Sequence, residues 1–171
     1  MTESKIDVPI VERKSVLRDQ SEITVSTKTV GNESYVLAKQ GDQIVGSFAY
    51  ERTEHGRCDY ETDLVQAHVK NNGVGKALIQ AFVDAVGPGK TVYSSIYHDP
   101  SLQFLKARFP NPNRFKKFKI GQIDPELIKE IPLVKFLSSS GIDITEVDLN
   151  YTVHQDRRPT VLHADFKGIT K

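Results

Sequence analysis

The chain is expected to form an α/β (α+β) domain with a mixed, mostly antiparallel central sheet and flanking helices. Three observations lead there. Residues 23–50 are rich in β-branched residues and are punctuated at Gly31-Asn32 and Gly41-Asp42, as in a meander of three antiparallel strands. Residues 64–86 pass from an apolar extended run, through two glycines, into a helical pattern. Residues 142–153 and 160–166 alternate again as two further strands.

Taken in order, residues 1–7 are polar and expected to fray, and residues 8–17 carry Val8, Ile10, Val11, Val16 and Leu17 without a clean period. Strands are expected near 23–30, 34–39 and 44–50, then a loop around His55-Gly56 and a strand over 59–69. Val74, Ala77, Leu78, Ala81, Phe82 and Ala85 recur at the spacings of one helical face, and Gly87-Pro88-Gly89 cannot continue it. Residues 90–97 read as a strand beside the one at 59–69, and residues 100–109 as a short helix burying Leu102, Leu105 and Phe109. Asp124-Pro125-Glu126 supplies a cap, a proline and an acid for a helix start. Pro132 should kink or divide that helix near Glu130, and the serines 138–140 with Gly141 should end it.

Gly73 and Gly75 let a ligand approach the backbone, and the amides from Asn72 to Lys76 lack helical acceptors. With the helix dipole they suit a phosphate or pyrophosphate; a glycine turn that only packs strand on helix is the competing reading. Walker A needs four residues between its glycines and then Gly-Lys-Ser/Thr. The dinucleotide fingerprint needs a third glycine or alanine where this chain has Leu78.

Lys70-x-x-Gly73-x-Gly75, after Val69 and before a helix bearing Ala77 and Leu78, resembles the central motif of the GNAT superfamily of acyl-CoA N-acyltransferases, over roughly residues 33–109. The family usually has Arg or Gln at the place of Lys70. The resemblance implies a single GNAT-like domain over 1–171, whose part from 110 to 171 diverges by an extra helix before the hairpin. It implies acetyl-CoA or another acyl-CoA as donor, no metal, and a primary amine, small molecule or protein, as acceptor. His68, Val69, Lys70, Asn72, Gly73, Val74, Gly75 and Lys76 would then bind the donor. The main chain of residues 66–69 and 94–97 would flank its pantetheine arm. The family's helices between the first two strands have no counterpart before Tyr35. The extra helix at 124–137 and the loop at 154–159 are expected to wall the acceptor instead, with Arg157 and Arg158 favouring an acidic or phosphorylated one.

Acyl transfer to an amine needs a base for the ammonium and an acid for the leaving thiolate. Glu61, Asp63 and His68, in that order, are the base candidates. The spacing of Glu61 and Asp63 puts both on one face of a regular strand. The family's acid tyrosine is replaced in Phe104-Leu105, so Tyr97, with His98 next to it, is the nearest substitute; a non-catalytic GNAT-like CoA-binding or virulence/interaction module is the alternative. Cys58 lacks a local base for nucleophilic work. The basic stretch Arg114, Lys116, Lys117 and Lys119, interleaved with Phe115 and Phe118, is read as a solvated strand or loop, with a phosphate contact as the alternative.

A net charge of +1 over 171 residues disfavours a dedicated nucleic-acid binder. One cysteine excludes an internal disulfide, and no secretory core or run of 18 apolar residues is present. The expected setting is cytoplasmic, with no membrane partner.

Overall fold

The structure, a computed structural model, describes residues 10–54, 56–63, 65–68, 71–96, 100–111, 116–152 and 161–171. Val69, Lys70, Tyr97, His98, Arg157 and Arg158 lie outside them, as do the expected frayed start at 1–7 and the loop at 154–159.

Among the described residues, ten strands form one sheet. β1 (Val11–Val16), β2 (Glu22–Val30), β3 (Glu33–Gln40) and β4 (Gln43–Arg52) make an antiparallel meander. β5 (Tyr60–Thr62) and β6 (Gln66–Ala67) both pair with β4. β7 (Thr91–Ile96) runs parallel to β5, the one parallel pairing among the described residues. β10 (Val161–Thr170) then inserts between β7 and β9 (Ile142–Thr152), and β8 (Phe118–Gln122) closes the far edge. The sheet is therefore mixed and mostly antiparallel, as expected.

Helix α1 (Val74–Val86) buries Val74, Ala77, Leu78, Ile79, Ala81 and Phe82 against β2, β3 and β4. Phe82 is fully buried and meets Tyr50 edge-on at 4.7 Å between ring centroids, with Phe48 and Tyr60 also in contact. Burying one such ring stabilises the fold by roughly 1.5–3 kcal/mol before entropy is counted. Helix α2 (Pro100–Arg108), the turn of helix α3 (Pro125–Ile128) and helix α4 (Pro132–Ser140) cover the other half. They bury Leu102, Leu105, Ile128, Ile131 and Val134 against Val147, Leu149, Leu162, Ala164 and Phe166. Register places Phe166 opposite Ser94 and Val92 two residues on, so the four helices among the described residues lie on one face of the sheet.

Pro132 divides the helix expected over 124–137: Asp124 caps α3 by accepting from Glu126 N at 2.7 Å, and Pro132 opens α4 at a place where no amide is needed. Helix α4 ends where the serines 138–140 and Gly141 are expected to end it. Ser139 and Ser140 each donate a hydroxyl back to Phe136 O at 2.8 Å, and the stop is Gly141, at φ +109°. Residues 11–16 pair with β2, and they show no readable period because the inward-facing Arg13 and Ser15 are polar while Val16 faces out.

Candidate active site

The strand leading to the glycine turn is interrupted. Thr62 opposes Tyr50 and Gln66 opposes Ser47, so three intervening residues on this strand stand against two on β4. One extra residue is accommodated there, as in a bulge. The alternation restarts, with Thr62, Val65 and Ala67 lining the helical face. Glu61, Asp63, Gln66 and His68 consequently point to the bare face, all four exposed. The same interruption ends the pairing with β7. Tyr60 and Glu61 pair with Val92 and Tyr93, whereas β6 pairs with β4 alone and β7 continues beside β10. The sheet thus parts between residues 66–67 and 94–96.

On the helical face a cavity of about 980 Å³ runs from this parting to the glycine turn. Its apolar walls include Phe48, Val65, Val92, Phe136, Ile144 and Phe166, and Asn71 to Ala77 close one end. Asn71 is left-handed at φ +61°, a conformation that asparagine tolerates, and Gly73 caps α1 at φ +96° with no side-chain hydrogen bond. The first turn holds no acid, its amides precede the first intrahelical bond at Ala77 N, and Lys76 is exposed beside them. These groups, with Arg18, fit an anionic ligand such as the pyrophosphate of an acyl-CoA.

Asn72 holds the turn rather than reaching outward. Its Oδ1 accepts from Asp19 N at 3.1 Å and its Nδ2 donates to Asp19 Oδ2 at 3.0 Å, while Arg18 donates to the carbonyls of Asn71 and Asn72. Bonds from Ser21 and from Asn72 hold the Asp19 carboxyl below its ordinary range. A link between residues 18–19 and 71–72 leaves no local pattern in the sequence.

The two glycines do different work. A Cβ on Gly73 would meet nothing within 4 Å, whereas one on Gly75 would stand 3.2 Å from Phe136 Cζ and 3.5 Å from Val65 Cγ1. Gly75 therefore lets α4 pack on α1, whereas the space at Gly73 stays open. The extra helix α4 packs on α1 beside the glycine turn, and no described helix walls the bare face.

On the bare face, a second cavity of about 380 Å³ is lined by Glu33, Tyr35, Glu51, Glu61, Asp63 and Tyr93, among others. Glu33 opposes Glu51, Glu51 opposes Glu61, and Glu61 opposes Tyr93, a row of three carboxylates and a phenol across four strands. Like charges directly opposite are destabilising in a sheet, so the row is a local cost to folding. Thr62, Asp63, Tyr93 and Ser94 line both cavities and mark where the two meet. His68 lines neither, and its amide donates to Val45 O at 2.9 Å.

Tyr93 had no signal in the sequence beyond a strand position. Its hydroxyl lies 3.0 Å from Ser95 Oγ, which donates to Asp165 Oδ1 at 2.5 Å, and His163 Nε2 lies 2.9 Å from the same oxygen. Burial above all pushes the phenol up, and the Asp165 and Glu61 carboxylates add to the shift. Cys58 is also pushed up, chiefly by burial, the opposite of an activated thiolate. At the expected position of the family acid, Leu105 is buried and Arg108 stacks on the Phe104 ring at 3.6 Å.

No family model matches the chain, and no curated protein matches it. Among solved structures it is similar to a Desulfovibrio desulfuricans protein described as a "putative acetyltransferase of the GNAT family", at 15% identity and a TM-score of 0.43, covering 80% of this chain and 68% of that one. Among the described residues, no group of three or more His, Cys, Asp or Glu could hold a metal ion, and no helix is long and apolar enough to cross a membrane.

Proposed function

We propose that this chain is an N-acyltransferase that moves an acyl group, most simply acetyl, from acyl-CoA to a primary amine by direct attack. The observation that carries the reading is the parting of β6 from β7 between an anion-suited helix start and a carboxylate-lined depression. An acyl-CoA supplies an activated thioester. The amides of Val74 to Lys76, with Arg18 and Lys76, would hold its phosphates, and the strand edges facing the parting would flank its arm. Glu33, Glu51 and Glu61 favour a cationic acceptor, which an ammonium is.

Asp63 or Glu61 would take the ammonium proton, through water where needed, freeing the nitrogen lone pair for the acyl carbonyl. The lining shared by both cavities favours Asp63, although Glu61 leads on sequence grounds. Tyr93, kept protonated by its raised pKa, would give a proton to the departing thiolate and be reprotonated from solvent through Ser95.

A second reading, a CoA-binding module without catalysis, is favoured by the Phe136 ring over Gly75 and by the missing family tyrosine. Thiol release from acetyl-CoA with an amine, followed against pH, separates the two. We expect kcat/KM to rise with pH, and Asp63→Asn or Glu61→Gln to lower its plateau by roughly 10²-fold or more. CoA that raises the melting temperature without any thiol release establishes the second reading. An unchanged plateau and profile in both variants makes the carboxylates structural.

A further inference from the structure

We propose that the outer edge of β1 is a docking edge for a second copy of this chain, paired antiparallel about a two-fold axis at Arg13. β1 pairs with β2 through six consecutive residues without a register shift, and nothing among the described residues pairs with its other edge. Such an edge is a template for another strand unless something blunts it. The opposite edge of the sheet is blunted: β8 has five residues and a register shift between Lys119 and Gly121, with Gly121 at φ +84°.

β1 and the residue before it instead expose apolar side chains, Ile10 at 58%, Val11 at 66% and Val16 at 63%. Alternation sorts the strand into two faces. Arg13 reaches Asp84 and donates to Ala77 O of α1, so Val11, Arg13 and Ser15 face the helices and Ile10, Glu12, Lys14 and Val16 share the bare face.

The sequence of the strand selects the partner. A two-fold axis perpendicular to the sheet keeps both helical layers on one side and requires odd positions to oppose odd, even to oppose even. Centred on Arg13, it places Ile10 opposite Val16 of the second copy and Glu12 opposite Lys14 of the second copy, each twice. Moving the centre one residue toward the N-terminus sets Glu12 against Glu12; moving it one residue the other way sets Lys14 against Lys14. A register with Arg13 opposite Lys14 opposes those two cations and, pairing odd with even, admits no two-fold axis. A register with Glu12 opposite Arg13 admits none either and leaves Val16 without its apolar pair. In the favoured register only Arg13 meets its own copy, and each guanidinium is already held by Asp84. Lys14 stands 3.8 Å from Glu22 with both groups well exposed, a contact loose enough to share. The charges in the middle of β1 thus discourage indiscriminate pairing and permit one self-complementary register.

Sedimentation equilibrium of the full chain across a concentration series tests this. The wild type should dimerise reversibly, Glu12→Lys should weaken the dimer roughly tenfold or more, and Glu12→Lys with Lys14→Glu should restore it, because the opposed pair is then rebuilt with its signs exchanged. Both positions are exposed, and circular dichroism checks that the variants fold. A wild type that stays monomeric, a dimer indifferent to Glu12→Lys, or a double variant no better than the single one overturns the proposal. A monomer whose outward β1 amides are nonetheless protected from hydrogen exchange assigns that edge to the chain's own first residues and overturns it as well.

Discussion

The two faces of the sheet, compared where β6 leaves β7, are built on opposite principles. On the helical face the gap opens onto Phe48, Val65, Val92 and Phe166 and is roofed by α1 and α4, a largely apolar enclosure with polar groups gathered at the glycine turn. On the other face the same gap opens among Glu33, Glu51, Glu61 and Asp63, uncovered by any described helix. An antiparallel sheet permits this division, since one face can pack while the other meets water. The packed face fixes where the strands part, through the interrupted register of residues 62–66. The open face collects charge that packing alone would not select, because opposed carboxylates disfavour the fold. A structural purpose accounts for the first face and not for the second.

The largest expected effect attacks the closed face. Gly75→Val should press on Phe136 and Val65 and destabilise the chain by about 1–3 kcal/mol. Phe136→Ala should recover part of that loss in the double variant, beyond the sum of the single changes. Denaturant unfolding of the four proteins reads the coupling directly. If Gly75→Val unfolds like the wild type, or the two changes simply add, the glycine does not serve the packing of α4 on α1 and returns to the ligand.

A smaller effect of opposite sign is expected on the open face. Glu51 has a carboxylate opposite it on both sides, so Glu51→Gln should stabilise the chain by about 0.2–1 kcal/mol at low salt and by less as salt screens the row. The same change should raise KM for a cationic amine. Stability gained together with binding lost is the expected outcome of a row kept for its ligand. Should Glu51→Gln destabilise the protein, or leave stability and KM both untouched, the row is an ordinary solvated face.

Much of this contrast was legible in the sequence, for reasons particular to each element. The meander, α1 and the C-terminal hairpin follow from local period and turn chemistry, and Pro132 announced the division before α4. Glu61 and Asp63 were recognisable as neighbours on one face. What stayed hidden depends on pairing between distant segments. No local pattern says that Glu33, Glu51 and Glu61 stand in one row, that Asn72 is tied to Asp19, or that Phe136 fills the space above Gly75. The extra residue between Thr62 and Gln66 was equally unreadable, because a bulge is defined by the partner strand. β1 escaped notice because its inward side chains are Arg13 and Ser15, which break the apolar alternation by which a strand is recognised.

The smallest effect concerns the closed end of the parting, where β5 and β7 are still joined. Asp59, just before β5, accepts from Thr91 N and Thr91 Oγ1 at 2.8 Å each, and its own amide donates to Thr91 O at 3.0 Å. The bond from the Thr91 amide, then that from its hydroxyl, holds the Asp59 carboxyl below its ordinary 3.8. A carboxyl lowered on folding stabilises the native state fully above its unfolded pKa, and the contribution fades as pH falls through the lowered folded value. The clamp should therefore be intact at neutral pH and loosen only in acid, below about pH 4. Carbon-detected NMR titration of Asp59 should give a midpoint below 3.8, with the Thr91 amide resonance moving in step. Asp59→Asn should abolish that acid-linked movement and speed hydrogen exchange at Thr91 while leaving the open end at residues 66–67 unchanged. A midpoint at or above the ordinary value, or a Thr91 amide that ignores the titration, would mean that the strands are held together by their ladder alone and that the parting begins without a clamp.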